Sequence, residues 1–283
     1  MAVADHRGIE LKSVDQLRQM RRAGLVVGRA LEAMAAACQP GLTTAELNDL
    51  AVEALAREKA TSSFLGYDPG WAGGPFPGVV CVSINQEVVH GLPSPERVLA
   101  TGDLVSIDFG AVLDGWHGDS AVSVEVGPVA PAVARLNQVT RQALWAGLAA
   151  ARLGGRVSDI SAAVEASVRS QKERYGLLRD YTGHGIGSAM HQEPDVPNYG
   201  RPGRGPALVE GLCLAIEPML TLGSRRTAVL EDGWTVVTAD DSCSAHWEHT
   251  MTVTKHGLWV LTALDGGEAE LNRLGLPFGP LSD

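Results

Sequence analysis

The chain has 283 residues, 45% of them apolar, with 33 glycines and a formal net charge of −10. That length can bury a sizeable core, and the profile is globular rather than disordered or fibrous. Direct nucleic-acid binding is disfavoured, because phosphate backbones are gripped by clustered Lys and Arg and no basic run exceeds Arg21-Arg22 or Arg225-Arg226.

In chain order, residues 1–12 form a polar lead with no apolar core of the kind a signal peptide needs. Ser13 followed by Gln16 reads as a capping box, and Leu17, Met20, Val27, Leu31 and Met34 recur at helical spacing until Pro40-Gly41. Arg29 and Glu32 interrupt this stretch too soon for a membrane span. Thr43 with Glu46 repeats the capping signal before a second helix through Leu47, Leu50 and Leu55. From about Val79 short β-rich runs alternate with Gly and Pro. A further helical block opens near Pro131, another helix starts at about Ser158, and strands are expected again from about Leu208. The order helix, helix, strands thus occurs twice, and GLTTAELNDLAVEAL at Gly41 resembles GRVSDISAAVEASV at Gly155, a hint of internal duplication that would put a site between two halves. The reading expects one compact unit over 13–263 and a surface tail over 264–283. Cys38, Cys81, Cys213 and Cys243 include no C-x-x-C pair, which fits a reducing compartment, and the cytoplasm is the default location.

Asp114-Gly115 is a strong two-residue hairpin signal, and it predicts its own register. Gly110 should face Asp119 and Asp108 should face Ala121, which makes Asp108 and Asp119 diagonal neighbours on one face. Carboxylates so placed can converge on two cations spaced about 3.5–4 Å. A pair of solvated hairpin acids is the plainer alternative, but Asp108 follows Val105, Ser106 and Ile107, where an unpaired carboxylate is costly to desolvate. Glu217 ends the apolar run LCLAIEPM on the face of Cys213 and Ala215, and Glu248 opens WEHTMTVT with Thr250 and Thr252 on its face. Singly, either reads as a strand-edge salt bridge. With the aspartates they make four acids aimed at one place. His184 stands between glycines in TGHGIG, open to close approach, and His191 follows in MHQEP. No H-E-x-x-H occurs, so a thermolysin-like single zinc is unsupported. Oxygen donors with one nitrogen suit Mn, Fe or Co, with Zn also admissible.

The stretches VCVSINQEVVHGLP, LVSIDFG, GWHGDSA, TGHGIG, MHQEPDVPNYG, LAIEPM and DGWTVVTADDSCSAHWEHT, together with the first helix, resemble the type I methionine aminopeptidases of the pita-bread metallopeptidase family. The resemblance implies an α+β pita-bread fold, two pseudo-symmetric halves with a curved antiparallel sheet covered by helices. It implies two divalent metal ions held by Asp108, Asp119, His184, Glu217 and Glu248, with Asp119 and Glu248 bridging. His90 and His191 match non-ligand histidines that position substrate and stabilise an oxyanion, and Trp234 and Cys81 match the wall of a methionine pocket. Met190 stands where an aromatic residue is expected, and GWAGGPFPG lacks the usual tyrosines, leaving Met190 and Phe76 as apolar wall candidates. Core packing is the plainer role for Met190, Phe76 and Trp234.

The implied reaction is removal of the initiator methionine from nascent proteins with a small second residue. A water between the cations loses its proton to Glu217 and attacks the carbonyl after methionine. Nascent N-termini are the expected partners, met through transient ribosome contact by a monomer without membrane attachment. The rivals are a proline-specific peptidase of the same fold, which usually carries a large preceding domain for which Asp108 comes too early, and a non-catalytic peptide-binding relative. Glu248 follows Glu217 by only 31 positions, which leaves no room for the long insertion of type II enzymes.

Overall fold

Both capping boxes form in the computed structural model, which describes residues 3–4, 8–70 and 72–281. Trp71, within the GWAGGPFPG stretch, lies outside the described residues, as does most of the polar lead before Gly8. Gln16 N donates to Ser13 Oγ at 3.3 Å while Ser13 N donates to Gln16 Oε1 at 2.8 Å, and this opens α1 (Val14–Ala37). Thr43 and Glu46 open α2 (Thr44–Glu58) in the same reciprocal way. Two short strands, β1 (Val3–Ala4) and β2 (Glu10–Leu11), precede these helices. The strands of the first half are β3 (Thr61–Ser62), β4 (Cys81–Ile84), β5 (Glu87–Val89), β6 (Leu104–Leu113) and β7 (Trp116–Glu125). Then come α3 (Pro131–Ala150), whose first position takes the proline naturally, and α4 (Val157–Arg169). The second half continues with β8 (Gly176–Leu177), β9 (Gly183–Gly185), β10 (Gln192–Val196), β11 (Cys213–Ile216), β12 (Met219–Thr221) and β13 (Thr227–Val229). It ends with β14 (Val236–Thr238), β15 (Ser244–His246), β16 (Glu248–Thr254), β17 (Gly257–Val260) and α5 (Glu268–Arg273).

The main sheet runs β10-β9-β11-β16-β7-β6-β3, with β17 also beside β16 and β4 beside β6, and every pairing in it is antiparallel. The hairpin register is the one expected, with Gly110 opposite Asp119 and Asp108 opposite Ala121. One apolar core lies under α1, α2 and β6, a second under α3, α4, β11 and β16. The α+β class holds.

The hydrogen bonds support the duplication more firmly than the sequence does. Gly41 N donates to Leu99 O at 2.8 Å and Leu99 N to Leu42 O at 2.8 Å; Gly154 N donates to Leu208 O at 2.8 Å and Leu208 N to Gly155 O at 2.9 Å. Isolated bridges Thr43↔Val98 and Arg156↔Ala207 follow each pair. In both halves the loop before the second helix is stitched to the segment leading into a strand of the main sheet, β6 in the first and β11 in the second.

Two expectations are corrected. Strands return at Gly176 rather than Leu208, because β8 and β9 are too short and glycine-rich to show a period-2 signal. The helix expected from about Ser158 forms as α4, which opens at Val157 and is held at its start by Arg156 N donating to Asp159 Oδ2 at 2.8 Å. The C-terminal segment is not a loose surface tail: Leu271 is fully buried, Phe278 bridges to Leu258, and Thr254 Oγ1 donates to Gly279 O at 2.9 Å. Leu271, Leu276 and Phe278 pack against the core of the second half, while Leu264 and Leu274 stay exposed, although the segment's Gly and Pro content reads as loop.

Candidate active site

Four strands of the main sheet, β9, β16, β7 and β6, carry one candidate ligand each, and the fifth stands directly after β11. On one line across the sheet lie His184, Ala215 and Thr250, paired through β9, β11 and β16, then Asp119 and Gly110 on β7 and β6. Thr250 Oγ1 joins this line to β7 by donating to Asp119 O at 2.7 Å. Two residues along, Glu248, Ala121, Asp108 and Cys81 form the next line, and Glu217 follows β11 immediately beyond Ile216, the partner of His249. Side chains two apart share a face, so all five candidates point to the same side. Gly110 lets Phe64 and Ser63 pack against this face, since a Cβ there would lie 2.8 Å from the Phe64 ring and 2.9 Å from Ser63 Cβ.

Donor atoms of Asp119, His184 and Glu248 all lie within 4.8 Å of one another. Glu217 Oε1 is 3.6 Å from His184 Nε2, and Glu217 Oε2 is 3.8 Å from His246 Nε2. Gly185 O accepts from His184 Nδ1 at 3.0 Å, which leaves Nε2 to face the acids. The flanking glycines are required by packing: a Cβ on Gly183 would lie 2.3 Å from Ala215 O, and one on Gly185 2.2 Å from Glu193 O. Only a bare backbone lets β9 seat the imidazole so close to β11 and β10.

Electrostatically the cluster is short of positive charge. Burial lifts Asp108, Glu217 and Glu248 well above the usual carboxylate range, with their mutual proximity adding to it. Burial also pushes Asp119 up to about 7, against the hydrogen bonds from Ser120 and Asp108. Burial drives His184 down to about 3, with His191 contributing, so it stands neutral as a ligand must. Asp108 Oδ1, Asp119 Oδ1 and Glu248 Oε1 are buried with no hydrogen-bond partner among the described residues. Orphaned buried acceptors of this kind are expensive unless something cationic fills the gap. The donor set therefore fits divalent metal ions.

Beside the acids opens a cavity of about 460 Å³ that reaches all eleven residues singled out in the sequence. Phe76, Cys81, Met190 and Trp234 pack together as one buried apolar cluster with Phe64. The Phe76 and Trp234 rings meet edge-on at 5.1 Å, and Trp234 Nε1 donates to Gly74 O at 3.1 Å. His90 sits in the left-handed backbone region at φ 61°, its ring between Tyr181 at 5.8 Å and Trp234 at 6.0 Å. Such strain in a non-glycine residue is kept where surrounding structure over-determines it, as at functional sites. Burial brings His90 down to about 4, with His191 contributing. His191 stacks edge-on against His184 at 4.4 Å, and its Nδ1 lies 2.8 Å from the Tyr67 hydroxyl. Sequence reading missed Phe64, Tyr67, Tyr181 and His246. None stands in a periodic or motif context that marks it, although His246 falls inside the quoted SCSAHWEHT stretch.

The profile of Metallopeptidase family M24 matches residues 18–255, nearly the whole of the described chain. The chain belongs to metallopeptidase family M24. A protein from Mycobacterium tuberculosis called methionine aminopeptidase 1 is 49% identical over 260 residues, covering 90% of this chain and 96% of that protein. The crystal structure of a methionine aminopeptidase from Thermotoga maritima superposes with a TM-score of 0.85 at 40% identity, covering 90% of this chain and 99% of that one. An Xaa-Pro dipeptidase from Bacillus anthracis shares the fold at 20% identity and a TM-score of 0.67, but this chain covers only 61% of it. As an M24 metallopeptidase the chain is a hydrolase that uses divalent metal, in keeping with the donor cluster.

Proposed function

We propose that this M24 peptidase removes an N-terminal methionine when a small residue follows it. The observation that carries the reading is the apolar cluster of Phe64, Phe76, Cys81, Met190 and Trp234 opening onto the five-donor cluster within one cavity. A flexible thioether side chain is matched by apolar and aromatic walls, and a pocket of this volume takes one such residue. Asp108, Asp119, His184, Glu217 and Glu248 would hold the metal pair, which when bound supplies Lewis acidity and lowers the pKa of water toward neutral. Glu217, whose carboxylate reaches into the donor cluster beside His184 and His246, receives the proton from the attacking water and returns it to the leaving amine. With the Tyr67 hydroxyl donating to Nδ1, a neutral His191 carries its proton on Nε2 and donates to the tetrahedral oxyanion. His90, fixed between Tyr181 and Trp234, orients the substrate backbone.

Substrates are then N-termini of nascent polypeptides in the cytoplasm, a setting in keeping with four free thiols. Among the described residues no helix is long and apolar enough to cross a membrane. Cleavage of Met-Ala-Ser beside an Ala-Pro-Ser peptide, with Mn, Fe, Co or Zn and with chelator, tests the proposal. Metal-dependent release of methionine alone is expected. Preferential cleavage before proline would replace this reading with the proline-specific one, and no cleavage under any metal would leave a non-catalytic relative.

A further inference from the structure

Between His184 and His191 the chain turns through residues 186–190, and this turn is held from two sides. His117 N on β7 donates to Gly187 O at 2.9 Å. On the other side stands Glu10, from the segment before α1. Its Oε2 accepts from Ser188 N at 2.9 Å and from Gln192 Nε2 at 2.9 Å, so one carboxylate oxygen ties down residues on both sides of His191. Lys12 braces it: Nζ lies 3.4 Å from Glu10 Oε2 and donates to Glu10 O at 3.0 Å and Gln192 Oε1 at 3.4 Å. The Lys12 side chain is 1% exposed, an unusual place for a lysine that does nothing specific. Lys12 N is anchored in turn to Gly211 O at 2.8 Å. Gly187 is packed so tightly that a Cβ there would lie 2.1 Å from Glu10 Oε2 and 2.4 Å from Lys12 Cε. Burial alone would raise the Glu10 carboxyl, but the Ser188 and Gln192 donors with Lys12 outweigh it and hold it below its usual range.

We infer that Glu10, braced by Lys12, is a positioning residue that fixes His191 for oxyanion stabilisation. The inference rests on the reading of His191 given under the proposed function. His184 is held from the side the strap does not touch, since β9 pairs with β11 through Ala215↔His184 and Leu214↔Gly185. Loss of Glu10 therefore loosens His191 while leaving the ligand in place. A misplacement near 1 Å at a reacting centre can lower turnover by as much as ~10².

The test is a double-variant cycle on the full, metal-loaded chain with a Met-Ala peptide, comparing Glu10→Ala, Glu10→Gln, His191→Ala and the Glu10→Ala/His191→Ala pair. Glu10→Ala is expected to lower kcat by roughly tenfold with KM within about twofold and metal content unchanged. Glu10→Gln, which still presents an acceptor to Ser188 N, should recover most of that loss. In the His191→Ala background the Glu10 change should have no further effect, since contacting partners in one function are non-additive. Multiplying losses in the double variant, or loss of metal with Glu10→Ala, would overturn the inference. Should Glu10→Ala fail to fold, Lys12→Gln enters the same cycle with the same expectations. Ring-labelled histidine spectra give a readout independent of turnover: the His191 signals should broaden with Glu10→Ala while those of His184 stay sharp. If the wild type proved inactive on methionyl peptides, the proposed function would fall, and the ring signals would still decide whether Glu10 orders His191.

Discussion

Asp119 and His184 share one cavity wall but are pushed by burial in opposite senses, the carboxyl up to about 7 and the imidazole down to about 3. In the metal-free protein Asp119 is protonated below pH 7, and that proton must leave before a cation can be bound. Metal affinity should therefore fall as pH drops through 7, by about tenfold per unit for each proton displaced, whereas His184 is already neutral and adds nothing in that range. Calorimetric metal titrations at pH 8, 7 and 6 check this, and a flat profile would show that the acids are ionised without metal. The two histidines separate just as cleanly. His184→Ala removes a donor and should weaken metal binding, while His191→Ala should keep metal and lower kcat by roughly 10²–10³, the scale of one lost oxyanion donor. Parallel titration and steady-state kinetics decide the point: equal loss of affinity in both variants would make His191 a ligand. Of the site's residues, the acids were legible because charges among apolar strand residues stand out. Phe64, Tyr67 and Tyr181 were not, since an aromatic wall residue differs from core only by where the fold puts it.

At the level of elements, signals that act over four residues or fewer were read with little error. Ser13 with Gln16, Thr43 with Glu46, and Asp114-Gly115 each commit the backbone locally, and each forms as its chemistry requires. Where identity comes from distant partners the sequence was mute. Strand β9 is Gly-His-Gly, with no side-chain pattern of its own, and exists because β10 and β11 flank it. The C-terminal segment is the other case. Asp265 caps α5 by accepting from Gly267 N at 2.8 Å and Ala269 N at 2.9 Å, and Leu271 then reaches the core of the second half. Leu271→Ala is expected to destabilise by about 2–5 kcal/mol, the usual range for a buried leucine, in urea unfolding followed by tryptophan fluorescence. A change below about 0.5 kcal/mol, typical of surface positions, would restore the view of this segment as a tail.

For the whole molecule, the charge deficit of the site sets a conflict between stability and activity. Four buried acids without compensating cations oppose folding, and a bound metal pair relieves them while adding its binding free energy, about 2.7 kcal/mol when free metal is 100-fold above its Kd. Asp108→Asn should therefore melt higher than wild type in chelator yet lower than wild type in saturating metal, with turnover lost. Melting curves of both proteins in the two conditions test the crossing, and a variant less stable in both would assign Asp108 a structural role. The two-half plan was visible in the repeated helix, helix, strands order, but the way the halves join was not, because strand order in a sheet is set by packing of distant faces.

That join has a consequence for how the molecule comes into being. Strand β16 lies between β11 and β7, so the middle of the sheet is filled by one of the last strands to be synthesised. Until it arrives, β7 displays a row of open backbone groups, with the Ser120 hydroxyl still waiting for the Glu248 carbonyl. Pairing across such a separation is slow, and an open strand edge is a template for the wrong partner. A chain ending at residue 240 should therefore self-associate edge to edge, as sedimentation would show, where the full chain stays dispersed. The strand that completes the donor set with Glu248 also ends the period in which the growing protein is prone to aggregate.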